Sequence, residues 1–159
     1  EKGIISGDGT GKFNPKDKVT REQFLKMIIE AASIEADNAE NTFEDVKPDA
    51  WYVNYVLTAK KLGIVNGMSD TEFGIGAAIS RQDMAVIINN ILDIDVDIST
   101  NKDLFKDDSA IASYAYKSVY SMKSLGILNG YNDGSYNPQG KLTRAEAAKV
   151  ISMVMDIIK

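Results

Sequence analysis

The 159 residues include no cysteine and no histidine, and the formal net charge is −5 at pH 7. Disulfides, thiolate metal sites, imidazole general bases and histidine triads are thereby excluded. The acidic balance speaks against nucleic acid, whose partners carry a basic stripe, and no stretch is apolar enough for a membrane span. The length suits one compact domain with its own core. A start at Glu1 without Met reads as a mature or excised piece.

In chain order, Gly3-Ile4-Ile5-Ser6-Gly7 leads to the turn Phe13-Asn14-Pro15 and then to Thr20-Arg21. Phe24, Met27, Ile28 and Ala31 follow at i, i+3, i+4, i+7, which predicts a helix with one apolar face. A polar, acidic linker covers 33–42. Phe43-Glu44-Asp45 announces a second helix over roughly 49–62, begun near Trp51 and stopped at Gly63. Gly63-Ile64-Val65-Asn66-Gly67 then repeats the opening phrase. Phe73 leads a turn without proline, Phe73-Gly74-Ile75-Gly76, read as a looser chain. Ser80-Arg81 starts a third helix with Met84, Ile87, Ile88 and Ile91 on its face.

After a second acidic linker over 93–104, the pattern returns. Phe105-Lys106-Asp107 announces a helix over roughly 111–125, with Tyr114 in the place of Trp51. Gly126-Ile127-Leu128-Asn129-Gly130 and Tyr136-Asn137-Pro138 follow, then Thr143-Arg144-Ala145-Glu146 and a face of Ala147, Val150, Ile151 and Val154. The period is about 60 residues, and the segment from Gly-Ile to arginine aligns without gaps. The expected organisation is one all-α domain over 1–159, with a partial repeat one (1–36), repeat two (37–98) and repeat three (99–159). The first repeat lacks its leading helix, so five helices are expected.

Arg21, Arg81 and Arg144 are the three arginines in the chain, although lysine is plentiful. Each follows a Thr or Ser that reads as a helix N-cap. Thr20/Gln23 and Thr143/Glu146 fit a capping box, and Ser80/Asp83 is a shorter variant. A cation at the first helical position is mildly unfavourable, by roughly 0.3–1 kcal/mol. Its repetition has two readings. An anion is held there beside free backbone N–H groups, or each arginine pairs with an Asp or Glu of the fold.

The ordered set Phe-x-Asp, Trp, Gly-Ile-x-x-Gly, aromatic-Asn-Pro and Thr-Arg-Ala-Glu resembles the S-layer homology (SLH) domain of bacterial surface proteins. The resemblance covers nearly the whole chain as about two and a half repeats. It implies a three-pronged spindle with pseudo-threefold symmetry, arginine helices in a central bundle and grooves between neighbouring repeats. It further implies an extracellular, non-catalytic wall anchor without cofactor. The implied ligand is a secondary cell-wall polysaccharide ending in a pyruvate ketal on N-acetylmannosamine, and neighbouring S-layer subunits are possible partners.

Arg21, Arg81 and Arg144 are then expected to bind a ketal carboxylate or to hold a groove wall, and Arg144, in the least altered repeat, ranks first. Thr20, Ser80 and Thr143 cap helices or donate to sugar oxygens. Asp45 and Asp107 accept sugar hydroxyls or cap the helix that follows. Trp51 and Tyr114 stack on a sugar or form half-buried groove walls. Gly7, Gly67 and Gly130 permit close backbone approach or positive φ, and Phe13, Phe73 and Tyr136 belong to the core. Three rival readings stand beside the anchor. A glycosidase would use paired carboxylates, but no acid pair recurs in a catalytic setting. A calcium-organised module would use Asp8-Gly9-Thr10-Gly11 and Asn132-Asp133-Gly134-Ser135, neither of which fits the EF-hand register. Pure lattice assembly is the third.

Overall fold

The computed structural model describes residues 4, 12–37, 39–99 and 103–158. They form five α-helices: α1 (Arg21–Ala31), α2 (Val53–Lys61), α3 (Arg81–Leu92), α4 (Ser113–Ser124) and α5 (Arg144–Ile158). One 3₁₀ turn covers Asp108–Ala110, and no strand is present among the described residues.

The arginine helices begin where the hydroxyl residue closes the first turn. Thr20 Oγ1 accepts from Gln23 N at 3.4 Å while Gln23 Oε1 accepts from Thr20 N at 3.1 Å. Thr143 and Glu146 repeat the exchange at 3.3 and 2.8 Å. Ser80 Oγ accepts from Asp83 N at 3.1 Å and donates to Asp83 Oδ2 at 2.7 Å. The expected apolar faces are buried, except that Ile91 is only partly covered. α2 and α4 each end in a left-handed glycine. Gly63 N–H reaches Lys60 O and Ile64 N–H reaches Ala59 O, with the same pair of bonds at Gly126 and Ile127. Both helices start later than expected. Ala50–Tyr52 form a turn ahead of α2, and the 3₁₀ turn precedes α4.

Three extended segments lead into the arginine helices and close a ring. Val19 N–H donates to Leu142 O at 3.0 Å, Leu142 N–H to Ile79 O at 3.1 Å, and Ile79 N–H to Val19 O at 3.0 Å. Isolated antiparallel bridges flank the ring at Lys18–Thr143, Thr20–Ala78 and Ser80–Lys141. Val19, Ile79 and Leu142 are fully buried at its centre. The ring is cyclic from repeat one to three, which defines the pseudo-threefold axis. One turn further, Arg21, Arg81 and Arg144 N–H groups donate to Ala77, Gly140 and Asp17 carbonyls at 3.0, 2.9 and 2.9 Å. Backbone groups that would be orphaned at a helix start are thus satisfied by the next repeat.

The packing units are offset from the sequence repeats. α1 packs on α3 and α5, while α2 lies against α1 and α4 against α3. Each leading helix therefore covers the arginine helix of the repeat before it. Among the described residues no helix covers α5 in that way.

The turn after each aromatic shares one left-handed residue: Asn14 (φ 50°), Gly74 (φ 92°) and Asn137 (φ 55°). Repeat two thus keeps the turn without its proline. Phe73 and Tyr136 are fully buried, against Phe43 at 5.9 Å and Phe105 at 5.1 Å between ring centres. Phe13 departs from the expected core placement and is 39% exposed.

Candidate functional site

The arginines reach across the repeat boundary in one direction. Arg21 Nε donates to Phe73 O at 3.1 Å, Arg81 Nε to Tyr136 O at 2.9 Å, and Arg144 Nε to Phe13 O at 2.8 Å. Each guanidinium lies over the ring of the same aromatic, at 5.1, 5.0 and 5.2 Å from its centre. Arg21 Nη1 also meets Asp83 Oδ2 at 3.5 Å, and Arg81 Nη1 meets Glu146 Oε1 at 3.1 Å. Those carboxylates are the capping residues of the next arginine helix. In repeat one that position is the neutral Gln23. Pairing with the fold, the second sequence reading, is therefore present at Arg21 and Arg81. It uses one nitrogen of the fork beyond Nε.

A groove of about 480 Å³ opens at Arg21, walled by Asn66, Gly67, Met68, Asp83, Tyr114 and Lys141. A smaller recess of about 110 Å³ shares Arg21, Asn66, Asp83 and Tyr114 and runs back toward Ile64 and Asn90. All three repeats contribute to the walls. Arg21 is 8% exposed. Its Nη2 has no hydrogen-bond partner among the described residues. A buried guanidinium with unused N–H donors on an open groove is set to receive a planar anion. Lys141 adds a second positive charge, against the single negative charge of Asp83.

Arg81 has different surroundings. Its guanidinium lies 4.9 Å from the Tyr131 ring centre as well as 5.0 Å from that of Tyr136, and Glu146 is close. The residue matching Tyr131 in repeat two is Met68, in the wall of the Arg21 groove. Burial acts to raise the Glu146 pKa; the Thr143 backbone and hydroxyl donors, with Arg81 and Lys18, outweigh it and hold the carboxyl below its ordinary value.

Asp45 and Asp107 neither cap the following helices nor stand free. Asp45 Oδ1 accepts from Phe73 N, and Oδ2 from Gly74 N and Ile75 N, all at 2.8 Å. Asp107 accepts from Tyr136 N and Asn137 N at 2.7 Å. Each carboxylate ties down the turn that carries the aromatic under an arginine. Burial acts to raise the Asp45 pKa, but the Ile75, Phe73 and Gly74 donors prevail and leave it lowered. A depressed folded value means that the stabilisation is complete above the unfolded value of about 3.9 and is lost as pH falls through the folded value. Asp45→Asn is expected to cost about 2 kcal/mol at pH 7, and the gap in urea midpoint from the parent should shrink toward pH 3.

Thr20, Ser80 and Thr143 are engaged in caps. Tyr114 is 62% exposed on the groove wall. Its hydroxyl donates to Asp83 Oδ1 at 2.7 Å and accepts from Gln82 Nε2 at 2.8 Å. Burial, then the Asp83 contact, raise its pKa to about 12. Trp51 is 55% exposed and packs edge-on against Tyr52 at 5.4 Å. Gly67 (φ 90°) and Gly130 (φ 68°) have no room for a Cβ, which would meet Phe43 at 2.6 Å and Phe105 at 2.7 Å respectively. Gly7 lies outside the described residues, as does Asp8-Gly9-Thr10-Gly11. In the other loop, Asp133 Oδ1 accepts from Ser135 N and Oγ at 2.9 and 2.7 Å, an Asx turn. Among the described residues no cluster of three or more acidic side chains is placed to hold a metal ion.

Asn66, Met68, Tyr131 and Lys141 were not singled out by the sequence, and Asp83 only as the capping partner of Ser80. Their one signal is position: Asn66 and Met68 flank Gly67, and Asp83 is the capping acid after the next arginine.

Fold and site together define an all-α module of three repeats, closed about a common axis, with inter-repeat arginine sites. The family model for the S-layer homology domain matches residues 1–25, 42–85 and 104–148, more than two thirds of the chain. The chain belongs to this family of cell-surface anchoring modules. It is 30% identical over 158 residues to an endoglucanase of Bacillus sp. (strain KSM-635), covering 98% of this chain and 17% of that protein. It is 28% identical to the surface-layer 125 kDa protein of Lysinibacillus sphaericus, covering 97% and 13%, and 25% identical to the cellulosome-anchoring protein of Acetivibrio thermocellus, covering 96% and 35%. The matching segment is thus a small part of these longer proteins, the named enzyme included.

Proposed function

We propose that this chain anchors a larger protein to the bacterial cell wall by binding a pyruvylated secondary cell-wall polysaccharide in the Arg21 groove. Arg21 receives the ketal carboxylate, and Asn66, Tyr114 and Lys141 face the sugar. The observation that carries the reading is the buried Arg21 guanidinium on an open groove, its Nη2 donors without a partner among the described residues. Membership of the S-layer homology family and similarity to a surface-layer protein and a cellulosome-anchoring protein support it. Net charge opposes nonspecific capture of an acidic polymer, so the local excess of Arg21 and Lys141 over Asp83 must supply the attraction.

The test is calorimetric titration with a wall glycan bearing its terminal pyruvate ketal and with the same glycan after mild acid removes the ketal. Saturable binding to the first and about a hundredfold weaker binding to the second is the expected pair of results, the size of one charge-assisted contact. Equal binding to both removes the carboxylate from the account.

A further inference from the structure

We infer that Asp83 is the specificity-determining residue of the Arg21 groove: a fixed carboxylate in the wall that admits ligands with one negative charge and rejects ligands with two. The inference rests on the carboxylate-binding reading above and deepens it.

Asp83 has its oxygen 3.5 Å from Arg21 Nη1, whereas Glu146 approaches Arg81 to 3.1 Å. Aspartate is one methylene shorter, and its oxygens are already engaged. Ser80 Oγ donates to Oδ2 at 2.7 Å, and Tyr114 OH donates to Oδ1 at 2.7 Å. Tyr114 is braced in turn. Gln82 Nε2 donates to its hydroxyl at 2.8 Å, and Gln82 Oε1 accepts from Ala112 N at 3.1 Å. Gln82 comes from repeat two and Tyr114 and Ala112 from repeat three, so two repeats hold this carboxylate at the edge of a site whose arginine belongs to the first.

Two consequences follow from the held position. The guanidinium is not closed by its own counter-ion, so a ligand carboxylate can use Nη2. The negative charge nevertheless stays beside it. Arg21 and Lys141 against Asp83 leave the groove walls with one net positive charge. A singly charged ligand balances that excess; a second charge on the ligand meets Asp83 at close range. Rejection through a like charge is how a site separates ligands of similar shape.

The experiment is calorimetry at pH 8 with two probes, pyruvylated N-acetylmannosamine and N-acetylmannosamine phosphate, the latter a dianion because its second pKa is about 6. The proteins are the unmodified chain, Asp83→Asn, Tyr114→Phe, the double variant and Arg21→Ala. The unmodified chain is expected to prefer the pyruvylated probe by about tenfold, and Asp83→Asn to bind the phosphate about tenfold tighter, erasing the preference. Tyr114→Phe frees Asp83 to close on Arg21 and weakens the pyruvylated probe about threefold, whereas the double variant should match Asp83→Asn, since Tyr114 positions Asp83. Tyr114→Phe leaves the Asp83 helix cap in place and remains informative if Asp83→Asn loses it. An unmoved preference in Asp83→Asn, or equal weakening by Tyr114→Phe with and without Asp83, overturns the inference. If the pyruvylated probe still binds through Arg21 in that case, the groove reading survives. If the unmodified chain binds neither probe, both fall.

Discussion

Arg21→Ala is expected to weaken binding of the pyruvylated glycan about a hundredfold, the size of one charge-assisted pair at a desolvated site. The same change at Arg81 should act on stability instead. Arg81 is held by Tyr136 O, Glu146 and two tyrosine rings, and truncating it removes the cation bonded to Glu146. Breaking such a pair costs about 3 kcal/mol. Arg21→Lys separates charge from shape: an ammonium keeps the attraction but loses the planar fork, and an intermediate loss of about tenfold is expected. Calorimetry and thermal melts of the three variants check this pattern. Equal loss of binding at both arginines would make the sites equivalent and would discount the enclosure of Arg81 by Tyr131.

Leu142→Ala carries the largest expected cost in stability. Leu142 is fully buried at the centre of the backbone ring with Val19 and Ile79, where all three repeats meet. No surface element can collapse into the space, so the change should cost about 3–4 kcal/mol. For a chain of this size that lowers the melting midpoint by about 10 °C. The side chain stabilises all three repeats at once, so a single cooperative transition at lower temperature is expected in differential scanning calorimetry. A separate early transition for α5 alone would contradict closure of the repeats around this axis.

What was legible in the sequence is what neighbours decide. Thr20, Ser80 and Thr143 are followed three residues later by Gln23, Asp83 and Glu146, and these short spacings fix the starts of α1, α3 and α5. Gly63 and Gly126 end α2 and α4 for equally local reasons. The repeat also made the five-helix content legible. What stayed hidden depends on closure between repeats. Phe73 lies 52 residues from Arg21 and Glu146 lies 65 from Arg81. No periodicity within one repeat exposes such partners. Asp45 could be read as a helix cap or a sugar ligand because the turn it binds lies 28 to 30 residues further on. Phe13 looked like Phe73 and Tyr136 by spacing, but the burial of those two comes with ring contacts to Phe43 and Phe105 that lie 30 and 31 residues earlier and that no spacing near the turn reveals. The ranking of Arg144 first came from motif similarity. A groove is described at Arg21, where Met68 rather than an aromatic follows the glycine, whereas Gly7 and its neighbours, which hold the matching place beside Arg144, lie outside the described residues.

The central claim is that the Arg21 guanidinium, and not that of Arg81, receives the ligand's carboxylate. Three arginines give three Nε–Hε resonances, assignable by single Arg→Lys variants. Following the guanidinium signals by NMR while the pyruvylated wall fragment is added should move the Arg21 set saturably, leave the Arg81 set in place, and move nothing with the ketal-free fragment. Saturable binding that leaves the Arg21 signals unmoved would contradict the account.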